Sequence, residues 1–324
     1  METLHKIRKM ADMTSEAINP QPGKDQGVSA VARKIARLKL PGTFVETVET
    51  HYTKVAEAIA RRACAHRGTL MVSINGSQGS GKSTLTGFLE LLLDERHGLN
   101  VANLSIDDFY LTREARGQLA SNVHPLLATR GVPGTHDVEL ALSTLDCLRS
   151  GSAQGECRLP RFDKAQDDRE DPSAWPSVRT PVDVILFEGW CNHAPVQSDE
   201  ELADPVNRLE RQEDRQGTWR RYVNQQLARY HEALFRQADV LVFLQAPSFE
   251  KVYEWRELQE SKLRASSPGG TRVMNQQQLR RFIDHYERLT RACLRSLPQQ
   301  ADIVLGLDSD HRIVDVSGPG LAHD

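Results

Sequence analysis

Asn75-Gly76-Ser77-Gln78-Gly79-Ser80-Gly81-Lys82-Ser83-Thr84-Leu85, the stretch NGSQGSGKSTL, decides the fold. Gly76, Gly81, Lys82 and Ser83 satisfy the pattern GxxxxGK(S/T). Glycines at these places let backbone N–H groups wrap phosphate oxygens with no Cβ in the way. The lysine reaches the β and γ oxygens, and the serine hydroxyl binds Mg²⁺. The stretch follows an apolar run, Leu70-Met71-Val72-Ser73-Ile74, and precedes a leucine-rich segment from Ser83 to about Asp94. Strand, loop and helix is the required context, because the helix then points its N-terminus at the anion. Gly76, Ser77, Gln78, Gly79, Ser80, Gly81, Lys82, Ser83 and Thr84 are therefore the expected nucleotide-binding residues, with ATP and Mg²⁺ as cofactors.

Further apolar runs repeat the pattern. Val101-Ala102-Asn103-Leu104-Ser105, Val182 to Phe187 and Val240 to Leu244 read as strands, and Ile303-Val304-Leu305 and Ile313 to Val316 close the chain. Near-continuous Val/Ile/Leu strands separated by helices imply a mainly parallel sheet covered on both faces. The fold class is α/β, a P-loop NTPase-type three-layer α/β/α architecture with a helical lid and an N-terminal helical extension. The expected divisions are a mobile polar tail over 1–27, a helical extension over 28–68 and a kinase-like domain over 69–324. In the extension Val31, Ile35 and Leu38 share one helical stripe. Val45, Val48, Val55 and Ile59 face inward on a second helix from Thr43 to His66. The charged segment from Pro160 to Pro181 and the stretch Ser266 to Gly270 read as mobile surface loops.

The other half of a nucleotide site is a carboxylate at the end of a buried strand. The run Val182–Phe187 ends in Glu188, which would hold Mg²⁺ together with Ser83. No NKxD-like guanine reader follows a late strand, which argues against a GTPase switch. The absence of an LSGGQ segment argues against a transporter subunit. Ser105-Ile106-Asp107-Asp108-Phe109-Tyr110 follows the second strand. Strand C-terminal ends face the ligand crevice in a parallel sheet, so Asp107 and Asp108 belong near the loop. A kinase acting on an alcohol needs a carboxylate that accepts the hydroxyl proton. Asp107 takes that role, with helix capping as the bland alternative.

The combination GSQGSGKST, SIDDFY, RGVPGTHD, LPRFDK, FEGW and VNQQLARY resembles the D-glycerate 3-kinase family, within the P-loop group that includes uridine kinase, pantothenate kinase and phosphoribulokinase. The resemblance covers roughly Leu70 to Val316. It implies that Asp107 is the base or substrate orienter. It also implies that Asp108, Tyr110, Arg130, His136, Asp137, Asp163, Lys164 and Arg169 form the acceptor side. Glycerate carries a carboxylate, which suits an arginine fork, and hydroxyls, which suit Asp107. Simpler roles stay open: N-capping for Asp137, a structural imidazole for His136, and solvated loop charge for Arg161 and Arg169. One departure from the family pattern is the stretch Ala165-Gln166-Asp167-Asp168-Arg169, shorter and more acidic than the usual glycine-rich loop.

After the fourth strand, helical patterns around Glu250 to Arg264 and from Asn275 onward resemble a small-molecule kinase lid over about 250–290. Lid closure excludes water and brings an arginine to the transferring phosphoryl group. Arg256, in the WR element, is the residue expected there, so the catalytic set is Lys82, Asp107 and Arg256.

Bulk properties narrow the partners. The chain has 324 residues, 26% charged and 39% hydrophobic, with net charge −3. This gives no reason to expect nucleic acid or an anionic membrane as partner. No apolar run approaches a membrane span, the first residues lack a secretory h-region, and the five cysteines show no CxxC pair. A cytoplasmic enzyme with a small anionic hydroxy acid as partner is the expectation. Oligomeric state is not legible. Two alternatives remain: a different acceptor, such as another hydroxy acid or a pantothenate-like or nucleoside-like alcohol, and an ATP-binding scaffold without transfer.

Overall fold

The computed structural model describes residues 28–150, 155–266 and 275–322. The expected tail over 1–27 and the lid turn over 267–270 lie outside them. The chain divides into two units at Gly42. The described part of the first is α1 (Ala30–Arg37), capped by Ser29, whose hydroxyl accepts from Ala32 N–H at 3.1 Å. Val31 and Ile35 are buried, but Leu38 is 42% exposed. The helix has stopped at Arg37, and Lys39 takes a left-handed φ of 54°, so Leu38 is the cap and leaves the stripe.

The second unit opens with α2 (Phe44–Thr47), a π turn over Val48–Tyr52, and α3 (Thr53–Ala65). The π turn rotates what precedes it out of the α3 stripe. Val48, Val55 and Ile59 are buried as expected, while Val45 is exposed. Phe44 packs instead, its ring centroid 5.7 Å from Phe88 and 6.0 Å from Tyr52.

The order then runs β1 (Leu70–Gly76), α4 (Lys82–His97), β2 (Val101–Ser105), α5 (Arg113–Asn122) and α6 (Val138–Arg149). Four short strands follow: β3 (Gly155–Arg158), β4 (Phe162–Asp163), β5 (Asp168–Arg169) and β6 (Ser177–Thr180). Next come β7 (Val184–Gly189), α7 (Asp199–Ala203), α8 (Arg208–Glu213), α9 (Thr218–Ala233) and β8 (Val240–Gln245). The chain ends with α10 (Phe249–Ser266), α11 (Gln276–Ser296), β9 (Ile303–Leu307) and β10 (Ile313–Ser317).

Six strands form one sheet in the order β10-β9-β8-β1-β7-β2, all parallel except β10. Parallel neighbours require crossovers, and the helices provide them on both faces. Met71, Ile185, Phe187, Leu241 and Phe243 join Leu145, Leu227 and Leu289 of α6, α9 and α11 in one apolar cluster. Alternation along β1 sends Leu70, Val72 and Ile74 to the opposite face, where Leu85, Phe88, Leu89 and Leu92 of α4 are buried. The register pairs Glu188 with both Ile74 and Ser105. The C-terminal ends of β1, β7 and β2 therefore finish side by side and form one rim.

The segment 160–181 lies largely at the surface, as expected, but it carries short paired strands. β3 pairs with β6, β4 pairs with β5, and Leu159 N–H donates to the Pro176 carbonyl at 2.8 Å. Several of its charges have partners: Arg161 pairs with Asp108, Lys164 with Asp107 and Arg169 with Asp137. Among the described residues no helix is long and apolar enough to cross a membrane.

Candidate active site

The phosphate loop spans the turn from β1 into α4. Gly79 and Gly81 take φ of 77° and 95°, conformations that favour glycine. A Cβ on Gly76 would stand 2.8–2.9 Å from Ser80 Oγ, Leu244 Cβ and Lys82 Cγ. Lys82 Nζ donates to the Ser77 carbonyl at 3.0 Å. Among the described residues the buried Ser77 and Ser80 hydroxyls have no hydrogen-bond partner. Buried hydroxyls without partners are costly in a closed protein and suit a loop that wraps an anion. Thr84 lies in the first turn of α4, whose N-terminus faces the same space.

Ser83 Oγ donates to Glu188 Oε1 at 2.8 Å, so hydroxyl and carboxylate can meet one cation. Among the described residues no cluster of three or more His, Cys, Asp or Glu is arranged to hold a metal. Mg²⁺ commonly takes one or two protein ligands and completes its shell with phosphate and water.

Asp107 lies in the 3₁₀ turn Ile106–Phe109 that follows β2. Tyr110 Oη donates to its Oδ1 at 2.8 Å and Lys164 Nζ to its Oδ2 at 2.6 Å. Burial alone would raise the Asp107 carboxyl. The Lys164 ammonium, helped by Tyr110 and Lys82, outweighs burial and holds it below its ordinary value. The Asp107 carboxylate is thus ionised at neutral pH and free to accept a hydrogen bond from an acceptor hydroxyl. Asp108 differs. Burial pushes it up to about 6 against the pull of Arg161, whose Nη1 lies 3.3 Å away.

A cavity of about 260 Å³ collects Gln78, Gly79, Lys82, Ser83, Asp107, Tyr110, Arg130, Lys164, Glu188 and Arg256. Ten residues named from the sequence thus meet in one place. Arg256 comes from α10, the helix expected to belong to a lid, and its guanidinium lies 5.6 Å from the Phe282 ring centroid. A second cavity of about 460 Å³ shares Ser83, Asp107, Lys164 and Glu188 and extends past Asp108 and Arg161 to Glu90 and Asn103.

His136, Asp137, Asp163 and Arg169 do not line the 260 Å³ cavity. They build the wall behind it. The His136 ring stacks on Tyr110 at 4.6 Å, and its Nδ1 lies 3.0 Å from Tyr230 Oη. Burial lowers His136 to about 4, so it is a neutral prop for Tyr110. Asp137 caps α6 through Leu140 N–H at 3.0 Å, and its second oxygen accepts from Arg169 at 2.9 Å. Arg169 also donates to the Tyr110 carbonyl at 3.1 Å. Asp163 accepts from Ala165 and Gln166 N–H at 2.7 and 3.0 Å, shaping the turn that carries Lys164. Asn224 exchanges hydrogen bonds with the Gln197 backbone at 2.9 Å in each direction.

Sequence reasoning gave no role to Trp190, Phe282 and Tyr286, which also line the 260 Å³ cavity. Trp190 Nε1 donates to the Gly131 carbonyl at 3.0 Å, and its ring meets Tyr286 edge-on at 4.8 Å. The available signal was an aromatic residue directly after Glu188-Gly189 and a pair four apart on one helix, which share a face.

No family model matches the chain. Among curated proteins, the chloroplastic D-glycerate 3-kinase of Arabidopsis thaliana is 32% identical over 257 residues, 74% of this chain. The chain spans about half of that relative, 52% of its length. The uncharacterized kinase mug58 of Schizosaccharomyces pombe is 32% identical over 250 residues, covering 75% of this chain and 87% of its own. Among solved structures, a D-glycerate 3-kinase from Cryptococcus neoformans var. grubii superposes with a TM-score of 0.66 at 27% identity. That match covers 84% of this chain and 98% of the other. The chain belongs to the D-glycerate 3-kinase family of P-loop kinases.

Proposed function

We propose that this member of the D-glycerate 3-kinase family transfers the γ-phosphoryl group of ATP to the 3-hydroxyl of D-glycerate, forming 3-phosphoglycerate. The observation that carries the reading is Asp107, ionised and lining one cavity together with Lys82, Ser83, Glu188 and Arg130. The loop backbone and Lys82 hold the phosphates, and Ser83 with Glu188 would hold Mg²⁺. The ion would supply charge neutralisation on the phosphate oxygens. The Asp107 carboxylate accepts the proton of the acceptor hydroxyl and aims its oxygen at the γ-phosphorus. Tyr110, its phenol held protonated by burial and by Asp107, keeps that carboxylate oriented. Arg130 recognises the acceptor carboxylate, and Arg256 balances charge on the transferring group.

The names of the plant and fungal relatives support D-glycerate as acceptor, and the site's chemistry agrees with an anionic alcohol. A larger hydroxy acid is the second reading, favoured by the 460 Å³ cavity that also opens on Asp107. An ADP-release assay across D-glycerate, pantothenate, uridine and ribulose 5-phosphate separates the readings. Turnover with D-glycerate at a kcat/KM about a hundredfold above the others is expected, since a polar site strongly rejects acceptors that leave it unpaired. Folded protein with no turnover on any of the four would remove the proposal.

A further inference from the structure

The acidic departure Ala165-Gln166-Asp167-Asp168-Arg169 sits at the tip of the β4–β5 hairpin. Arg116 of α5 is fully buried, and a buried guanidinium without a counter-charge is strongly destabilising. Asp167 supplies the counter-charge. Arg116 Nη2 lies 2.9 Å from Asp167 Oδ2 and donates to its backbone carbonyl at 2.8 Å, and Nη1 donates to Oδ1 at 3.2 Å. Asp167 holds this position with a left-handed φ of 60°, rare outside glycine. Its neighbour Asp168 pins the hairpin to the start of α5 by accepting from Arg113 N–H at 3.2 Å.

The same Asp167 oxygen, Oδ1, also accepts from Nη1 of Arg130. Both guanidinium groups lie over the Phe162 ring, with Cζ at 5.7 Å for Arg116 and 5.6 Å for Arg130. One carboxylate thus serves two guanidinium groups, which leaves one net positive charge. Arg116 does not reach the 260 Å³ cavity, whereas Arg130 lines it. Asp167 engages Nη1, so among the described residues Nε and Nη2 of Arg130 are left as a fork of the kind that takes a carboxylate.

We infer that Asp167 is a positioning residue that selects an anionic acceptor. Anchored by Arg116, it fixes Arg130 so that the remaining fork meets the acceptor carboxylate beside Asp107. This rests on the D-glycerate reading above.

Steady-state kinetics on the full chain test it. In Asp167→Asn the KM for D-glycerate should rise about tenfold, as expected for losing a charge-assisted orientation, with kcat falling less than threefold and the ATP KM unchanged. Asp167→Asn leaves Arg116 buried without its counter-charge, so a double variant, Arg116→Met with Asp167→Asn, removes the buried pair together. Such replacements are often tolerated, and the same rise in acceptor KM is expected in a protein whose thermal unfolding is intact. Asp167→Glu should recover part of the affinity. An acceptor KM within twofold of wild type in a folded variant, or a fall in kcat with KM unchanged, overturns the role of Asp167 alone. A wild-type protein that does not phosphorylate D-glycerate overturns the acceptor reading and this inference with it.

Discussion

Lys164 Nζ stands 2.6 Å from Asp107 Oδ2, so the residue that opposes burial at the proposed base comes from a hairpin 57 residues further along the chain. Burial raises the Asp107 carboxyl, and Lys164 is the largest influence in the other direction. Replacing Lys164 by Met therefore raises that carboxyl. A base is useful only where it is ionised, so the acidic limb of the kcat/KM profile should move to higher pH. A pH–rate profile measured between pH 4 and 8 checks this. A limb that does not move would assign it to another group.

Asp107→Asn keeps the shape and the hydrogen bond from Tyr110 but cannot take a proton. Phosphoryl transfer should fall about 10²–10⁴-fold, the usual range for a lost general base. Nucleotide affinity, read by displacement of a fluorescent ATP analogue, should stay within about threefold, because Asp107 is not part of the phosphate loop. Turnover at the wild-type rate would show that Asp107 is no base. If wild type itself bound ATP with no transfer to any alcohol, the scaffold reading would gain.

The donor half of this site was legible because its constraints are local. NGSQGSGKSTL needs only contiguous residues to specify strand, turn and helix. Glu188 was legible because it ends an apolar run. The acceptor half depends on contacts between distant segments, and its residues were named without their places. His136 was expected beside the acceptor, yet it stacks behind Tyr110 because Tyr230, on α9, holds its ring from the other side. Asp167 looked like a departure from pattern until the buried Arg116, 51 residues away, explained it. The short strands within 160–181 were missed for the same reason: Arg161, Lys164 and Arg169 meet their partners from distant segments.

Asp108 gives a stability test independent of activity. Its carboxyl is raised to about 6 in the folded protein from 3.8, so folding favours the protonated form. The contribution is fully present below pH 3.8 and is lost as pH rises through about 6. At about 1.4 kcal/mol per unit, the loss is on the order of 2–3 kcal/mol. Asp108→Asn cannot ionise and escapes it. The Tm of wild type should therefore fall relative to the variant as pH rises from 4 to 7. A constant difference across that range would contradict the assignment.

Ser83 and Glu188 share one hydrogen bond of 2.8 Å and are the expected protein ligands of Mg²⁺. Glu188→Gln should raise the Mg²⁺ concentration for half-maximal rate at least about tenfold, the usual scale for a lost metal partner. Nucleotide binding without Mg²⁺ should change little. A Mg²⁺ titration of the initial rate distinguishes this from a folding defect, which would lower the plateau and leave the midpoint in place.

The central claim is that the hydroxyl facing Asp107 belongs to D-glycerate and receives the γ-phosphoryl group. Phosphorus–proton correlation NMR on the product of ATP, Mg²⁺ and D-glycerate tests it most directly. The account predicts one phosphorylated product, coupled to the C3 methylene protons. A phosphate coupled to the C2 proton, or inorganic phosphate released with glycerate unchanged, would contradict it.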